Sequence, residues 1–140
     1  MTYSKFIAME VPKTTFQAKM PVKMGNFARI IDKPEAKAMK RQIYSMLYDE
    51  RPANIMTGPM TVTMEFFFQP AKTRKLKSGQ RWRTVKPDLD NLCKGFIDTL
   101  VKAEWIENDQ SIVQLMALKW DAADPKKWGV YITITEIQNL

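Results

Sequence analysis

The run Lys86-Pro87-Asp88-Leu89-Asp90-Asn91-Leu92-Cys93-Lys94, followed by Asp98, sets several carboxylates around Lys94. Carboxylate oxygens are hard donors of the kind that Mg²⁺ takes. Pro87 biases Lys86 away from helical angles, so a helix is expected to begin at Asp88 or just after it. Side chains two apart within a helix diverge by about 200°, whereas in an extended segment they share a side. Asp88 and Asp90 can therefore serve one ion only where the helix begins between them, and Pro87 favours that boundary. Within the helix, Asp90, Lys94 and Asp98 recur every four residues and form a polar strip. Glu107-Asn108-Asp109 follows the helix. A turn there would return Asp109, at the head of the next strand, toward the strip.

An ordinary explanation competes with this one. Asp88 would be a helix cap, Asp90 a first-turn acid favoured by the helix dipole, and Asp90 with Lys94 a surface ion pair. That explanation leaves out the neighbourhood. From Lys72 to Lys86 the chain carries Lys72, Arg74, Lys75, Lys77, Arg81, Arg83 and Lys86 without a single acid. Phosphates are gathered by Lys and Arg, and their hydrolysis uses a metal held by carboxylates.

Composition narrows the chemistry further. The chain has no histidine, which excludes Ser-His and Cys-His nucleophilic pairs and an imidazole base. With Cys93 its only cysteine, an internal disulfide is excluded and a zinc site is disfavoured. Lys and Arg number 22 against 15 Asp and Glu, a net charge of +7, and such a balance draws polyanions, nucleic acid above all. No stretch resembles a membrane span or a signal peptide, so a cytoplasmic protein without membrane partners is the default expectation. The 140 residues suit one domain, 1–140.

The elements that must carry these residues follow from periodicity. Tyr3 to Val11 reads as a strand ended by Pro12, and Lys13 to Ile31 as a long loop including Gly25. A helix is predicted from Pro34 to Tyr48, entered by a capping box of Asp32 and Glu35, with Met39, Ile43 and Leu47 on its buried stripe and Met46 beside them. Met60, Val62, Met64, Phe66 and Phe68 alternate with Thr61, Thr63, Glu65 and Phe67, a strand with one buried face. A second helix should run from Leu89 to Lys102, burying Leu89, Leu92, Cys93, Phe96, Ile97 and Leu100. Two strands close the chain, Ile112 to Trp120 and Val130 to Ile137, separated by a polar turn at Asp121 to Lys127. The order β-α-β-α-β-β predicts an α+β fold: a small, largely antiparallel or mixed sheet with two helices packed on it.

Pro87-Asp88-Leu89-Asp90-Asn91-Leu92-x-Lys94-x-x-x-Asp98-x-Leu100, with Asp109, Ile112 and Lys119 downstream, resembles the signature of RusA-type Holliday junction resolvases. The resemblance runs from Lys86 to Lys119. It implies a Mg²⁺-dependent endodeoxyribonuclease, with Mn²⁺ a possible substitute, that resolves four-way DNA junctions in recombination and repair. It also implies a homodimer, and a kind of enzyme often encoded by phages and prophages. Asp88, Asp90 and Asp109 would bind the metal, and Lys94 would be a catalytic or DNA-contacting lysine. Asp98 and Asn91 would support the ligands. Lys119 and the cations from Lys72 to Lys86 would contact DNA. In one place the chain departs from the family, which has two adjacent aspartates where this sequence has Asn108-Asp109. A basic, non-catalytic DNA-binding module and a nuclease for flaps or other branched DNA are the alternatives. Trp82 would stack on a base or pack. Cys93, Trp105, Trp120, Trp128 and the methionines are expected in packing roles.

Overall fold

A computed structural model describes residues 1–13, 19–25 and 27–139. Among these residues, seven strands and two α-helices follow one another as β1 (Thr2–Ala8), β2 (Lys19–Met24), β3 (Phe27–Asp32), α1 (Pro34–Asp49), β4 (Met60–Phe68), β5 (Gln80–Trp82), α2 (Leu89–Lys102), β6 (Ile112–Ala122) and β7 (Gly129–Glu136). Five strands form a sheet in the order β1-β7-β4-β6-β5. The pairings β1/β7, β4/β7 and β5/β6 are antiparallel, while β4/β6 is parallel. The fold is therefore α+β with a mixed sheet, and the expected β-α-β-α-β-β order is kept by β1, α1, β4, α2, β6 and β7. The parallel pair has a simple cause: α2 lies between β4 and β6 in the chain and carries it back to start β6 in the same direction.

The alternation in β4 sets the layers. Met60, Val62, Met64, Phe66 and Phe68 are all buried, and they meet Val130, Ile132 and Ile134 of β7 on the same face. Both helices close that face, α1 through Ile43 and Leu47 and α2 through Leu92, Cys93, Phe96 and Leu100. Phe66 and Phe96 meet edge-on with centroids 5.1 Å apart, which fixes α2 against the central strand. Trp105, fully buried just after α2, donates its indole N–H to the Leu47 carbonyl at 2.6 Å and so ties the end of α2 to α1. No helix among the described residues is long and apolar enough to cross a membrane.

Three local expectations change. The first strand ends at Ala8, short of Val11. The stretch expected as a loop contains a hairpin: β2 and β3 pair antiparallel, with Met24 opposite Phe27, as a separate two-stranded sheet. Gly25, at φ 61°, takes the left-handed turn conformation, and Gly25-Asn26 is a two-residue hairpin signal that outweighed the weak periodicity around it. Residues 14–18 and 26 of that stretch lie outside the described residues. The predicted capping box also fails at its first member. Asp32 is still in β3, paired with Lys19, so Lys33 becomes the cap, without a side-chain bond, and Pro34 opens the helix.

Candidate metal and nucleic-acid site

Asp88 stands where the sequence places it, on the boundary. Its backbone is extended (φ −64°, ψ 132°) and α2 begins at Leu89, so Asp88 lies outside the helix and Asp90 in its first turn. Among the described residues the capping bond and the Asp90–Lys94 ion pair of the ordinary explanation are not formed, while Asp90 keeps the first-turn place that suits the helix dipole. Asp88 makes no capping bond through its side chain. Among the described residues, the side chains of Asp88, Asp90, Lys94, Asp98 and Asp109 enter no hydrogen bond or ion pair, and all five residues are exposed. Exposed carboxylates without protein partners are open to a cation.

Asp109 arrives by a chain reversal that is firmly anchored. Met56 and Ile106 form a parallel bridge, with the Met56 N–H donating to the Trp105 carbonyl and the Glu107 N–H to the Met56 carbonyl, both at 2.9 Å. A short 3₁₀ turn, Asp109–Ser111, then packs against α2. Asn108 caps this turn, its side-chain oxygen accepting from the Gln110 N–H at 2.9 Å. An aspartate could accept the same bond, so the departure from the family pattern leaves the local turn intact. The reversal nevertheless stops short of a cage. Among the described residues, no three carboxylate or thiol side chains come close enough together to hold one ion.

The expected DNA-contacting cations separate into two sets. Lys72, Arg74, Lys75, Lys77 and Lys86 are exposed. Arg83 is not: only 6% of it is accessible, and its Nη1 lies 2.8 Å from Oδ1 of Asp121, itself 2% accessible. Arg83 Nε also donates to the Lys86 carbonyl at 2.8 Å. Arg81 is half-buried, its Nε 3.2 Å from Asp121 Oδ2, and its guanidinium also bonds the Arg74 carbonyl. Lys119 points inward from β6, donating to the Val85 carbonyl at 2.8 Å and the Pro87 carbonyl at 2.6 Å. Burial lowers its pKa, with the Arg83 charge adding to the effect and Asp88 and Asp121 opposing it. The Lys86–Pro87 peptide in this segment is cis.

Sequence reasoning missed this inner network because its acid, Asp121, was read as the start of a polar turn. Its burial comes from β6 running on to Ala122 beside β5, where Arg81 is paired with Asp121. Trp82, 56% exposed, stacks on Trp120 at 3.6 Å between ring centroids.

Asp98 and Asn91 sit differently. Asn91 is half-buried in the first turn of α2. Asp98 lines a groove of about 430 Å³ between α1 and α2, together with Lys40, Arg41, Tyr44, Ser45, Gly95, Thr99 and Lys102. The helical strip therefore leads from the boundary acids toward a second cationic surface. Cys93 is buried under α2 as expected, and burial, with the nearby Asp90 charge, pushes its thiol pKa to about 11.

Comparisons with known proteins give one family and two relatives. Residues 10–135 match the family model described as endodeoxyribonuclease RusA. The chain is 33% identical over 79 residues to a crossover junction endodeoxyribonuclease of Lactococcus phage r1t, covering 56% of this chain and 56% of that protein. It is 26% identical over 114 residues to the uncharacterized protein YqaN of Bacillus subtilis (strain 168), covering 76% of this chain and 78% of that one. The match to the phage relative thus spans little more than half of that protein's length.

Proposed function

From the premise that the chain belongs to the RusA endodeoxyribonuclease family, we propose that it is a Mg²⁺-dependent nuclease acting on four-way DNA junctions. The observation that carries this reading is the pair of exposed carboxylates at the Asp88/Asp90 helix boundary, unpaired among the described residues and following the exposed cations Lys72, Arg74, Lys75, Lys77 and Lys86.

Asp88, Asp90 and Asp109 would hold the metal. Their all-oxygen donor set suits a hard cation. Mg²⁺ commonly takes only one or two carboxylates and completes its octahedron with water and substrate phosphate. Three carboxylates that do not close into a cage by themselves fit a site completed by DNA. When bound, the metal supplies a water of lowered pKa and a Lewis acid for the phosphodiester. Lys94, one helical turn beyond Asp90, holds its ammonium toward the scissile phosphate and offsets the negative charge that develops there. Asp98 and Asn91 support this strip from its edge.

Lys72, Arg74, Lys75, Lys77 and Lys86 grip the phosphates of the arms, and the screening of such contacts by salt makes the grip strongly salt-dependent. Trp82 offers a flat face to a base at the branch point. A junction has two equivalent strands to nick, so a two-fold homodimer with one site per chain suits the substrate.

The separation of the three carboxylates favours one competing reading, a basic module that binds DNA without cutting it. Labelled four-way junction, flap and linear duplex, incubated with Mg²⁺, Mn²⁺ or EDTA, separate the two. Metal-dependent nicking of the junction in preference to the other substrates supports the proposal. Binding without nicking under every divalent ion favours the module, and preferred cutting of flaps would reassign the substrate.

A further inference from the structure

The side chain of Asp88 lacks any bond that would aim it. It lies outside the helix, its carbonyl accepting from the Leu92 N–H at 3.1 Å, and its side chain has no hydrogen-bond or ion-pair partner among the described residues. Its position therefore depends on α2 after it and on the backbone before it, Val85 to Pro87, which belongs to neither strand nor helix. Carbonyls in such a segment have no ladder to bond and must find other donors. Here three consecutive carbonyls are taken by buried or half-buried cations: Val85 and Pro87 by Lys119, and Lys86 by Arg83.

We propose that Lys119 is a positioning residue for metal binding rather than a DNA contact: it pins the peptide that sets Asp88. This inference rests on reading Asp88 as a metal ligand. The carbonyl oxygen of Pro87 belongs to the same planar peptide group as the Asp88 nitrogen. A donor fixed 2.6 Å from that oxygen fixes the plane from which Asp88 departs. The backbone that carries this donor is held in its turn. Lys119 is paired with Phe66 of the central strand, and its own carbonyl accepts from the Arg83 N–H at 2.9 Å. Arg83 closes the frame through Asp121. The ammonium thus gives two of its three donors to the segment that leads into Asp88. Hydrogen bonds of this kind, which orient ligands without touching the metal, commonly govern metal affinity by roughly 10–100-fold.

The test uses the full chain and the variants Lys119→Met and Lys119→Arg. Four quantities are compared: Mn²⁺ affinity by calorimetry, the Mg²⁺ concentration for half-maximal junction nicking, junction affinity in EDTA at several salt concentrations, and stability in urea. For Lys119→Met, Mn²⁺ affinity should fall about tenfold or more and the Mg²⁺ midpoint rise in parallel. Junction affinity in EDTA and its salt slope should stay as they are. Lys119→Arg keeps the charge and misplaces the donor, so it should show a smaller shift in the same direction. It serves alone should the Met variant fail to fold. An unchanged metal midpoint with a salt slope reduced by about one would overturn the proposal and make Lys119 a phosphate contact. So would wild-type metal affinity in the folded variants. If the unsubstituted chain nicks nothing under any divalent ion, the nuclease reading falls and takes this inference with it. If it nicks normally and the variants keep its metal dependence, the inference alone falls.

Discussion

Arg83 and Asp121 form an ion pair at 2.8 Å in the interior, with 6% and 2% of their respective surfaces accessible. Arg81 approaches the other carboxylate oxygen of Asp121, so one buried acid serves two arginines from the basic segment. Breaking such a pair on one side leaves the partner's charge buried without compensation, which costs about 3–5 kcal/mol. Asp121→Ala should therefore lower the urea midpoint by an amount corresponding to that loss, with Arg83 stranded. A loss below about 1 kcal/mol would mean that the pair behaves as a solvated surface bridge.

The exposed cations should behave in the opposite way. Replacing Arg74, Lys75 and Lys77 together by Gln should leave stability nearly unchanged, since all three are exposed. For every phosphate that thereby loses its cation, the dependence of log K on log salt should flatten by about 0.9. Titrating junction DNA in EDTA at several salt concentrations measures this. An unchanged slope would remove the segment from the DNA interface.

Cys93 gives a prediction with a definite direction in pH. Its thiol pKa is raised to about 11, so the reactive thiolate is scarce in the native protein at pH 8. Alkylation should be slow at pH 8, accelerate toward pH 11, and become fast at pH 8 once urea exposes the residue. Rapid native labelling at pH 8 would contradict the burial of the α2 face.

Gly129 is irreplaceable for a geometric reason. At φ 151° it lies in a region side chains rarely adopt, and a Cβ there would sit 2.2 Å from the Ile7 carbonyl oxygen and 2.9 Å from the Phe6 ring. Since Gly129 is also paired with Ala8, Gly129→Ala must push β1 away from β7. Destabilisation of about 2 kcal/mol or more is expected, read as a lowered Tm. A variant as stable as the unsubstituted chain would contradict the β1/β7 register.

Much of this architecture is legible from local chemistry. Strict alternation over Met60 to Phe68 names the central strand, and the Leu89 to Leu100 stripe names the helix that covers it. Pro87 places the boundary between Asp88 and Asp90 because its effect on Lys86 is local. The parts that escape are those decided by distant partners. Arg83 looks like any cation of a basic run, and nothing adjacent in the chain announces that Asp121 will meet it across the β5/β6 edge. Lys119 likewise resembles a solvated strand lysine, although its carbonyl partners are more than thirty residues away. The hairpin over Lys19 to Asp32 is hidden by weak alternation, with Gly25-Asn26 its one clear signal.

The central claim is that the boundary carboxylates hold the metal that cuts DNA. Asp90→Asn keeps the size and polarity of the side chain while removing its charge. Nicking of a labelled four-way junction in Mg²⁺ and binding of the same junction in EDTA, measured side by side for this variant and the unsubstituted chain, test it directly. The prediction is loss of nicking by at least about a hundredfold (roughly 2.7 kcal/mol), with junction binding unchanged or slightly tighter. Nicking at the unsubstituted rate by the folded Asn variant would contradict it.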